Sequence, residues 1–475
     1  MSDKRYEANI IRTTAVEPAN NIETTSAPGV WSLDEVMELQ KKNKWPTVGN
    51  VTTDVDDVFS TYLYAGDGNN AREINNGIDL SGEGGMVWFK ARTTAQNHRI
   101  FDTERGSDYS LITNSAAAQT DHGSTGLNSF DNDGFTLGNA VVNGSGIYGG
   151  DYTSWTWRKA TNWFDIVSYT GNNGTQTINH NLGSVPGMII VKRLNDAGNW
   201  SIYHRSLGAT KFINLNSTSQ AYANSSYWAD TAPTSTQFTV GLTSSVDSAP
   251  YIAYLFAHHN NDGEFGPNQD QDIIKCGSYN GDGQSAGVTV DLGFEPQWIF
   301  LKRSDASGYY TQIIDNMRGM PNGSNDQILW PNVSDAENGT LNSVEPTATG
   351  FKAVDTNNSN INGSTWVYMA IRRGPLAEPE SASDVFAIDS ESTTSPTPPS
   401  YNSGFPVDMF LSRRDVTATD SWYLYDRLRK SDVALTTNST AAESTTGGAY
   451  SEFDRNDGIG SYTGTVYSNK AYGWR

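Results

Sequence analysis

Four short apolar runs that end in basic residues recur along this chain: GMVWFKAR (85–92), GMIIVKR (187–193), QWIFLKR (297–303) and DMFLSRR (408–414). Each run is followed by a second matching segment, in order RIFDTERG (99–106), SIYHRSLG (201–208), QIIDNMRG (312–319) and YLYDRLRK (423–430). The distance between the two segments is nearly constant, as the pairs Met86/Asp102 and Met409/Asp426 show. Tandem copies of one unit are typical of scaffolds and multivalent binders, because a single catalytic cleft does not need them.

Each copy also has a leading and a closing segment rich in aromatic and β-branched residues. The leading segments are VFSTYLYAGDG (58–68), DIVSYTGNNG (165–174), IIKCGSYNGDG (273–283) and DVFAIDSEST (384–393). The closing segments are SWTWRKA (154–160), YIAYLFA (251–257), WVYMAIRR (366–373) and AYGWR (471–475). Short runs of this kind, separated by Gly, Asn, Asp and Ser turns, predict β-strands.

The repeat length indicates how the copies are organised. A period of about 105–110 residues is far longer than a solenoid repeat and matches one β-sandwich. We therefore predict an all-β protein with four tandem β-sandwich, jelly-roll-like domains arranged in a row. The predicted boundaries are 51–160 for unit one, 161–258 for unit two, 259–374 for unit three and 375–475 for unit four. Arg475 aligns with Arg158 of unit one, so either a natural end or a longer protein fits, and we favour the second.

The first 50 residues precede the repeats and differ from them. Residues 1–30 are polar and are expected to form an extended arm. The segment VWSLDEVMELQKKNKWP (30–46) predicts one short helix, because Ser32 and Glu35 form a capping box and Pro46 ends the pattern. The narrow apolar face of this helix and its two ends supply candidate docking residues for a larger particle: Trp31, Leu33, Val36, Met37 and Trp45.

The composition excludes several classes of partner. The chain has 32 basic and 53 acidic residues, and a formal charge of -21 argues against a nucleic-acid partner. Cys276 is the only cysteine, so no disulfide can form within one chain. The start MSDKRYEANI lacks the apolar core of a signal peptide, and no apolar run of about 18 residues could insert into a membrane.

An Asp-x-x-Arg element occurs in three of the four copies, as Asp102/Arg105, Asp315/Arg318 and Asp426/Arg429, whereas unit two has His204 in place of the aspartate. These aspartates could act as catalytic or metal-binding carboxylates, or each pair could be a structural ion pair that pins a turn. Because a scaffold element repeats together with its fold, we favour structural ion pairs. No zinc motif, phosphate-binding loop or nucleophile elbow is found, so we predict no catalytic residue, no metal and no cofactor.

The basic pair at the end of each first strand, such as Lys192-Arg193, is a further candidate for ligand binding. The alternative follows from strand geometry, in which neighbouring side chains point to opposite faces. We favour this alternative, in which one basic residue contacts the Asp-x-x-Arg turn and the other points into water.

Aromatic residues in two segments that differ between the copies are candidate contacts for a glycan or a protein partner: Tyr222, Tyr227, Trp228 and Trp330. Exposed aromatic rings among Asn, Asp and Ser suit the apolar patches and hydroxyl groups of sugars. The alternative is that these rings cover their own domain or pack against a neighbouring one. We favour this alternative, because aromatic residues are commonly buried at interfaces.

The motifs of unit one resemble a repeat found in structural proteins of marine tailed bacteriophages. The matching segments are VWFKART (87–93), NHRIFDTERG (97–106), SLITNSAAA (110–118), LNSFDNDGFTLG (127–138) and YTSWTWRKA (152–160). The resemblance covers about residues 30–475, although unit two departs from it at His204 and unit three has a rewritten middle. It implies membership of the virion more firmly than a place on the virion.

The repeats and the resemblance together predict a non-enzymatic virion protein, a tail fibre or similar appendage that contributes to host-surface attachment. It would be assembled in the host cytoplasm and dock on other tail or capsid proteins through its N-terminal region. A homo-oligomer is expected, with a trimer favoured. The alternatives are a protein that decorates the capsid or tail, and a polysaccharide depolymerase. The repeated carboxylates count against a depolymerase, which needs a carboxylate pair unique to one groove.

Overall fold

A computed structural model of the chain describes residues 37, 53–144, 150–266, 268–374, 381–390, 401–414, 421–429, 433–445, 453–460 and 469–475. Met37 is helical and its side chain is exposed. The other docking candidates, Trp31, Leu33, Val36 and Trp45, lie outside the described residues, together with the predicted arm and the rest of the predicted helix.

Unit one contains two antiparallel sheets built from nine strands. The strands are β1 (Phe59–Ala65), β2 (Arg72–Asn75), β3 (Gly85–Ala91), β4 (Arg99–Asp102), β5 (Gly106–Ile112), β6 (Thr120–Asp121), β7 (Leu127–Asp131), β8 (Gly134–Leu137) and β9 (Asp151–Arg158). They form a large sheet in the order β1-β9-β3-β4-β5-β6 and a small sheet in the order β2-β8-β7. Because β1 pairs with β9 in one sheet and β2 pairs with β8 in the other, the two ends of the unit wind together as in a jelly roll.

Units two and three repeat this strand order. The strands of unit two are β10 (Phe164–Thr170), β11 (Gln176–Asn179), β12 (Met188–Arg193), β13 (Ser201–His204), β14 (Lys211–Asn214), β15 (Tyr222–Ala223), β16 (Gln237–Val240) and β17 (Pro250–Phe256). Those of unit three are β18 (Ile274–Asn280), β19 (Val288–Asp291), β20 (Pro296–Arg303), β21 (Gln312–Asp315), β22 (Asp326–Leu329), β23 (Asn338–Leu341), β24 (Val344–Thr347), β25 (Gly350–Ala353) and β26 (Thr365–Arg372). The large sheets have the orders β10-β17-β12-β13-β14-β15 and β18-β26-β20-β21-β22-β23, and the small ones β11-β16 and β19-β25-β24.

Unit four has the same order again. Its strands are β27 (Phe386–Ser390), β28 (Tyr401–Asn402), β29 (Met409–Arg414), β30 (Tyr423–Asp426), β31 (Val433–Thr436), β32 (Ser444–Thr445), β33 (Gly458–Ile459) and β34 (Asn469–Trp474). They form a large sheet β27-β34-β29-β30-β31-β32 and a small sheet β28-β33. The prediction of an all-β protein made of several sandwiches is confirmed.

Apart from Met37, the described helices are single turns that connect strands. Two are α-helical, α1 (Leu80–Glu83) and α2 (Ser225–Trp228), and four are 3-10 turns at Val55–Asp57, Gly123–Thr125, Leu242–Ser244 and Ala382–Asp384. The sequence did not predict α1 or α2, because one turn is too short to show helical periodicity.

The interior of each sandwich lies between its large and small sheets. In unit one, Phe89 of the large sheet packs edge to face against Phe101 and Phe135, with ring centroids 5.8 and 5.2 Å apart. Along β3, Val87 and Phe89 point into this interior, whereas Met86 and Trp88 belong to a different buried cluster. Successive side chains of a strand point to opposite faces, so β3 is buried on both.

The turn between β7 and β8 explains one repeated sequence feature. Gly134 of DNDGF has a φ of 136°, and a Cβ atom built there would lie 2.0 Å from the Ile74 carbonyl oxygen on β2. Gly458 of RNDGI has a φ of 157° and an equally close approach to the Tyr401 carbonyl oxygen. Only glycine allows the small sheet to close at these positions.

We call the outer face of each large sheet, which points away from the small sheet of its own unit, the ring face. In units one to three the ring faces belong to one continuous hydrophobic core. This core also includes the interior of unit two, with residues such as Ile189 and Phe238. Its ring-face members are Phe59, Met86, Trp88, Ile100, Leu111, Trp155 and Trp157 in unit one, Phe164, Ile166, Met188, Ile190, Ile202, Ile213, Tyr254 and Phe256 in unit two, and Ile274, Cys276, Trp298, Phe300, Ile313, Leu329, Met369 and Ile371 in unit three.

The three units surround a common centre. Trp157 of unit one packs against Phe256 of unit two and Trp298 of unit three, at ring-centroid distances of 6.1 and 5.6 Å. Units two and three also contact each other directly, since the Ala221 N–H donates to the Ser304 carbonyl at 2.9 Å. The prediction of four domains in a row is therefore wrong for the first three units, which form a closed ring. Their large sheets carry two apolar faces, and a row would leave one of them in water.

Unit four packs against units one and three through the ends of its strands and its loops. The Arg427 guanidinium donates to the Asn316 carbonyl at 3.2 Å, and the Asn322 N–H donates to the Leu428 carbonyl at 2.8 Å. Arg373 of unit three forms an ion pair with Asp408 at 2.6 Å. These contacts involve none of the unit-four positions that correspond to the ring face.

Candidate functional site

In unit one, the Asp-x-x-Arg element closes the turn between β4 and β5. The Asp102 carboxylate accepts hydrogen bonds from the Arg105 N–H at 3.0 Å and from Arg105 Nε at 2.6 Å. The remaining guanidinium nitrogens donate to the carbonyls of Ile100 and Tyr109. Burial by itself would lower the pKa of Arg105, but Asp102 outweighs it and the pKa is raised. The guanidinium therefore stays charged inside the protein.

Units three and four close the corresponding turn in the same way. Asp315 accepts from the Arg318 N–H at 2.9 Å and from Arg318 Nε at 2.7 Å. Asp426 accepts from the Arg429 N–H at 2.8 Å and is also ion-paired with the Arg429 guanidinium. Each carboxylate therefore has a structural task at its own turn.

The same position also joins neighbouring units in the ring, a role that the sequence did not predict. The Tyr254 hydroxyl of unit two donates to Asp102 of unit one at 2.7 Å, and Trp155 Nε1 of unit one donates to Asp315 of unit three at 2.9 Å. The third joint runs from His204 of unit two to the Tyr368 carbonyl of unit three at 3.0 Å. These three contacts form a closed cycle, which we call the ring joints.

The ring coincides with the part of the sequence that a known family shares. A family model described as a domain of unknown function, DUF7483, matches residues 54–375. This chain belongs to the DUF7483 family. The matched region starts at the turn before β1 and ends after β26, so it contains the three units of the ring and none of the strands of unit four. No curated protein matches the sequence.

In the DUF7483 region, one ring joint has no aspartate, and His204 takes its place there. Its Nδ1 accepts a hydrogen bond from the Ser206 N–H at 3.2 Å, so Nε2 carries the proton and donates to the Tyr368 carbonyl. Both ring nitrogens are therefore satisfied by the neutral imidazole. The pKa of His204 is lowered to about 4, mainly because the side chain is buried; the hydrogen bond to the Tyr368 carbonyl opposes this shift, and the charge of Arg205 contributes to it.

A charge network extends the joint between units one and three to unit four. Arg318 donates to Glu337 at 2.8 Å, and Glu337 forms a two-pronged ion pair with Arg92 of unit one. Arg92 also reaches Asp454 of unit four at 2.7 Å. Burial by itself would raise the pKa of Glu337, but Arg92 and Arg318 outweigh it and the pKa is lowered. The guanidinium of Arg318 lies over the Trp155 ring, 5.3 Å from its centroid, which adds a cation–π contact.

The lysines of the basic pairs are buried at the borders between units. Lys192 Nζ donates to the Ala116 carbonyl of unit one at 3.2 Å, and Lys302 Nζ donates to the Ser217 carbonyl of unit two at 2.8 Å. Burial lowers the pKa of Lys192 to about 8 and that of Lys302 to about 7. The expectation that one basic residue contacts the Asp-x-x-Arg turn is wrong for these two lysines, which bind the loop of the preceding unit.

Two of the candidate aromatic residues lie at the surface of unit two. Tyr222 on β15 is 46% exposed. Tyr227 is half-buried and stacks on Phe212, with ring centroids 3.5 Å apart and an interplanar angle of 10°. Tyr222 approaches the same Phe212 ring at 6.3 Å. These rings therefore form one aromatic group at an edge of the DUF7483 region, with Tyr222 the accessible member.

The other two candidates have different environments. Trp228 is only 1% exposed and packs edge to face on Tyr203, so its assignment as a glycan or partner contact is corrected. It is the last residue of α2, which turns it into the core of unit two. Trp330 of unit three is half-buried and lies 5.2 Å from the exposed ring of Tyr310, as measured between centroids.

Within the described residues, no group of three or more His, Cys, Asp or Glu side chains could hold a metal ion. No helix in the described part of the chain is long and apolar enough to cross a membrane.

The donors of the ring joints were missed in the sequence, although a signal for them exists. Tyr254 lies in the uninterrupted run YIAYLFA, and Trp155 lies in SWTWRKA. A strand without polar alternation indicates burial on both faces, which requires a partner beyond its own sandwich. The periodicity identifies such strands but does not name the partner residue.

Proposed function

We propose that this chain is a non-enzymatic structural protein of a tailed-phage virion, a tail fibre or similar appendage that contributes to host-surface attachment. The observation that carries the proposal is how the repeated charged residues are used. Asp102 and Asp315 each bind their own arginine and a donor from the next unit, and both are fully buried. Side chains fixed in this way hold a scaffold together and have no position left for a substrate.

The ring suits a protein that must stay rigid under mechanical load. Its three units share one core and are joined by buried hydrogen bonds and ion pairs, so separating any one of them exposes apolar surface and leaves charges unpaired. The N-terminal segment would dock on other tail or capsid proteins through Trp31, Leu33, Val36, Met37 and Trp45.

Host contact would use the accessible aromatic groups. Tyr222 with Tyr227, and Trp330 with Tyr310, present rings at the surface of units two and three. Aromatic rings stack on the apolar faces of sugars. Single contacts of this kind are weak, and several copies on one particle would supply avidity.

A decorating protein of the capsid or tail is a second candidate. The ring of three units supports this candidate better than four domains in a row would have done. Three units around one centre form a compact body that could tile a surface, whereas a projecting fibre is built more simply from units in line. Both candidates place the protein in the virion and differ in its location.

Labelling particles tests the proposal and separates the two candidates. Gold-conjugated antibodies raised against the purified region 54–375 would be imaged on intact phage, with antibodies to the major capsid protein as the control. Label at the tail or its fibres is expected. Label spread over the head would favour the decorating protein, and absence of label from particles that carry the capsid control would refute virion membership.

A further inference from the structure

Unit four carries a ring face of its own. Strand register aligns it with the other units, because Met409 pairs with Asp426 as Met86 pairs with Asp102. Likewise, Leu411 pairs with Tyr472 as Trp88 pairs with Trp155. The corresponding positions of unit four are all apolar or aromatic: Phe386, Ile388, Met409, Leu411, Leu424, Leu435, Tyr472 and Trp474.

No described residue of the single chain covers this face. Ile388 is 60% exposed, whereas its counterparts Ile166 and Cys276 are 3% and 1% exposed. Met409 is 36% exposed, whereas Met86 is 1% exposed. The other six positions are half-buried, and none of the eight belongs to the core of unit four. Among the described residues, nothing covers on unit four the surface that its three sister units bury.

Unit four also carries both halves of a ring joint. Asp426 occupies the acceptor position of Asp102, and its side chain remains 25% exposed. Tyr472 occupies the donor position of Tyr254, and among the described residues its hydroxyl has no hydrogen-bond partner. A second unit four placed as the ring places its neighbours would bring the Tyr472 hydroxyl of one chain to the Asp426 carboxylate of the next.

We propose that the ring face of unit four binds the ring faces of unit four in two further copies of this chain, so that three chains close a second ring. The occupant is a unit of the same kind because the face matches the three established ring faces in polarity and in its joint residues. The inference goes beyond the proposed function and does not depend on where the protein lies on a virion.

The number of chains follows from the geometry of the joint. Each unit of the ring uses its closing strand toward one neighbour and, toward the other, the turn that carries Asp102, His204 or Asp315, which makes the contact head-to-tail. A head-to-tail contact forms a ring when its rotation closes, and in the first three units it closes after three. Identical units that make the same contact are expected to close at the same number.

Charged substitutions on the exposed face test the proposal. Analytical ultracentrifugation of the full chain should give a mass three times 51.8 kDa that dissociates on dilution. The double variant Ile388→Asp/Met409→Asp should sediment as a monomer at every concentration. The matched control is Val185→Asp, which changes a side chain that is 53% exposed on unit two and should leave the trimer unchanged. Circular dichroism checks that the variants remain folded. We expect them to fold, because the substituted side chains are exposed in the single chain.

The ring joint is tested separately from the apolar face. Tyr472→Phe and Asp426→Asn should each weaken trimer formation, and the double variant should weaken it by less than the product of the two effects. Independent, multiplicative effects would mean that these two groups do not meet across chains.

Three results would overturn the proposal. They are a wild-type chain that stays monomeric at high concentration, a stable dimer, or a trimer that survives Ile388→Asp/Met409→Asp at wild-type strength. If the wild type is a monomer, hydrogen exchange can show whether the N-terminal segment covers this face. Exchange in unit four that becomes faster after deletion of residues 1–52 would mean that this segment of the same chain lies on it.

Discussion

Replacing Asp102 by alanine tests whether the ring joints hold the DUF7483 region together. The Asp102 side chain is fully buried and accepts hydrogen bonds from the Arg105 N–H, Arg105 Nε and the Tyr254 hydroxyl. Its removal leaves the buried Arg105 guanidinium without its counter-ion and the Tyr254 hydroxyl without its acceptor. Removing one partner of a buried ion pair costs about 3–5 kcal/mol of unfolding free energy.

The resulting shift in melting temperature depends on how much of the protein unfolds together. With about 2.1 cal/mol/K of unfolding entropy per residue, a cooperative ring of about 320 residues would lose about 6 °C for 4 kcal/mol. If unit one, with about 107 residues, unfolded alone, the same loss would be about 18 °C. A shift near the smaller value is expected, because the three units share one core.

Differential scanning calorimetry of Asp102→Ala, with Asp196→Ala as the control, measures this shift. Asp196 also forms an i,i+3 ion pair with an arginine, but its side chain is 63% exposed, so its removal should cost less than about 1 kcal/mol. Adding Tyr254→Phe to each background completes a double-mutant cycle, and a coupling of about 0.5–3 kcal/mol is expected for groups in direct contact. Equal melting of Asp102→Ala and Asp196→Ala would refute the structural role of the joint.

Three further predictions concern pH, catalysis and attachment. Because burial lowers the pKa of His204 from 6.5 to about 4, the unfolded chain binds a proton at this residue before the folded protein does as the pH falls. Between pH 6.5 and 4 the free energy of unfolding of the wild type should therefore fall by about 3 kcal/mol more than that of His204→Asn, as measured by urea unfolding. The same pH dependence in both proteins would contradict this prediction. Purified protein should release no soluble sugar from host capsule, lipopolysaccharide or peptidoglycan above a buffer control, and release would promote the depolymerase alternative. Deletion of residues 1–46 should leave all four β-units folded but abolish incorporation into particles, and normal incorporation of the folded deletion variant would mean that the docking site lies in the β-units.

The strands and their repetition were predictable because both depend on local sequence. Short runs rich in Val, Ile, Phe and Trp that lie between Gly, Asn and Asp turns predict strands, and the same spacing of these runs recurs in each copy. The position of Asp102 opposite Met86 follows from the constant spacing between the two segments. Such features need no knowledge of what packs against the sheet.

The ring was not predicted, because it depends on which surfaces meet over long distances in the chain. The signal for it was the run MVWF and its equivalents MIIV and WIFL, which are apolar on both faces of the strand. That pattern shows that a second partner exists, but it does not distinguish a sister unit from another chain. The assignment of Trp228 as a surface contact was wrong for a local reason. Asn224 caps α2 by accepting from the Ser226 N–H at 2.9 Å, and this single turn directs the tryptophan inward.

The ring joints within one chain join units of different sequence, whereas a ring of unit four from several chains would join identical units. Unit three has Met369 at the donor position, so it cannot supply a side-chain donor, and unit two compensates with His204, which donates to the adjacent Tyr368 carbonyl. Two changes of this kind can accumulate only where the neighbours are encoded separately. A ring of identical units cannot distribute the roles, because each unit must present donor and acceptor at once. Unit four retains both, as Tyr472 and Asp426, and this is the arrangement that self-association requires.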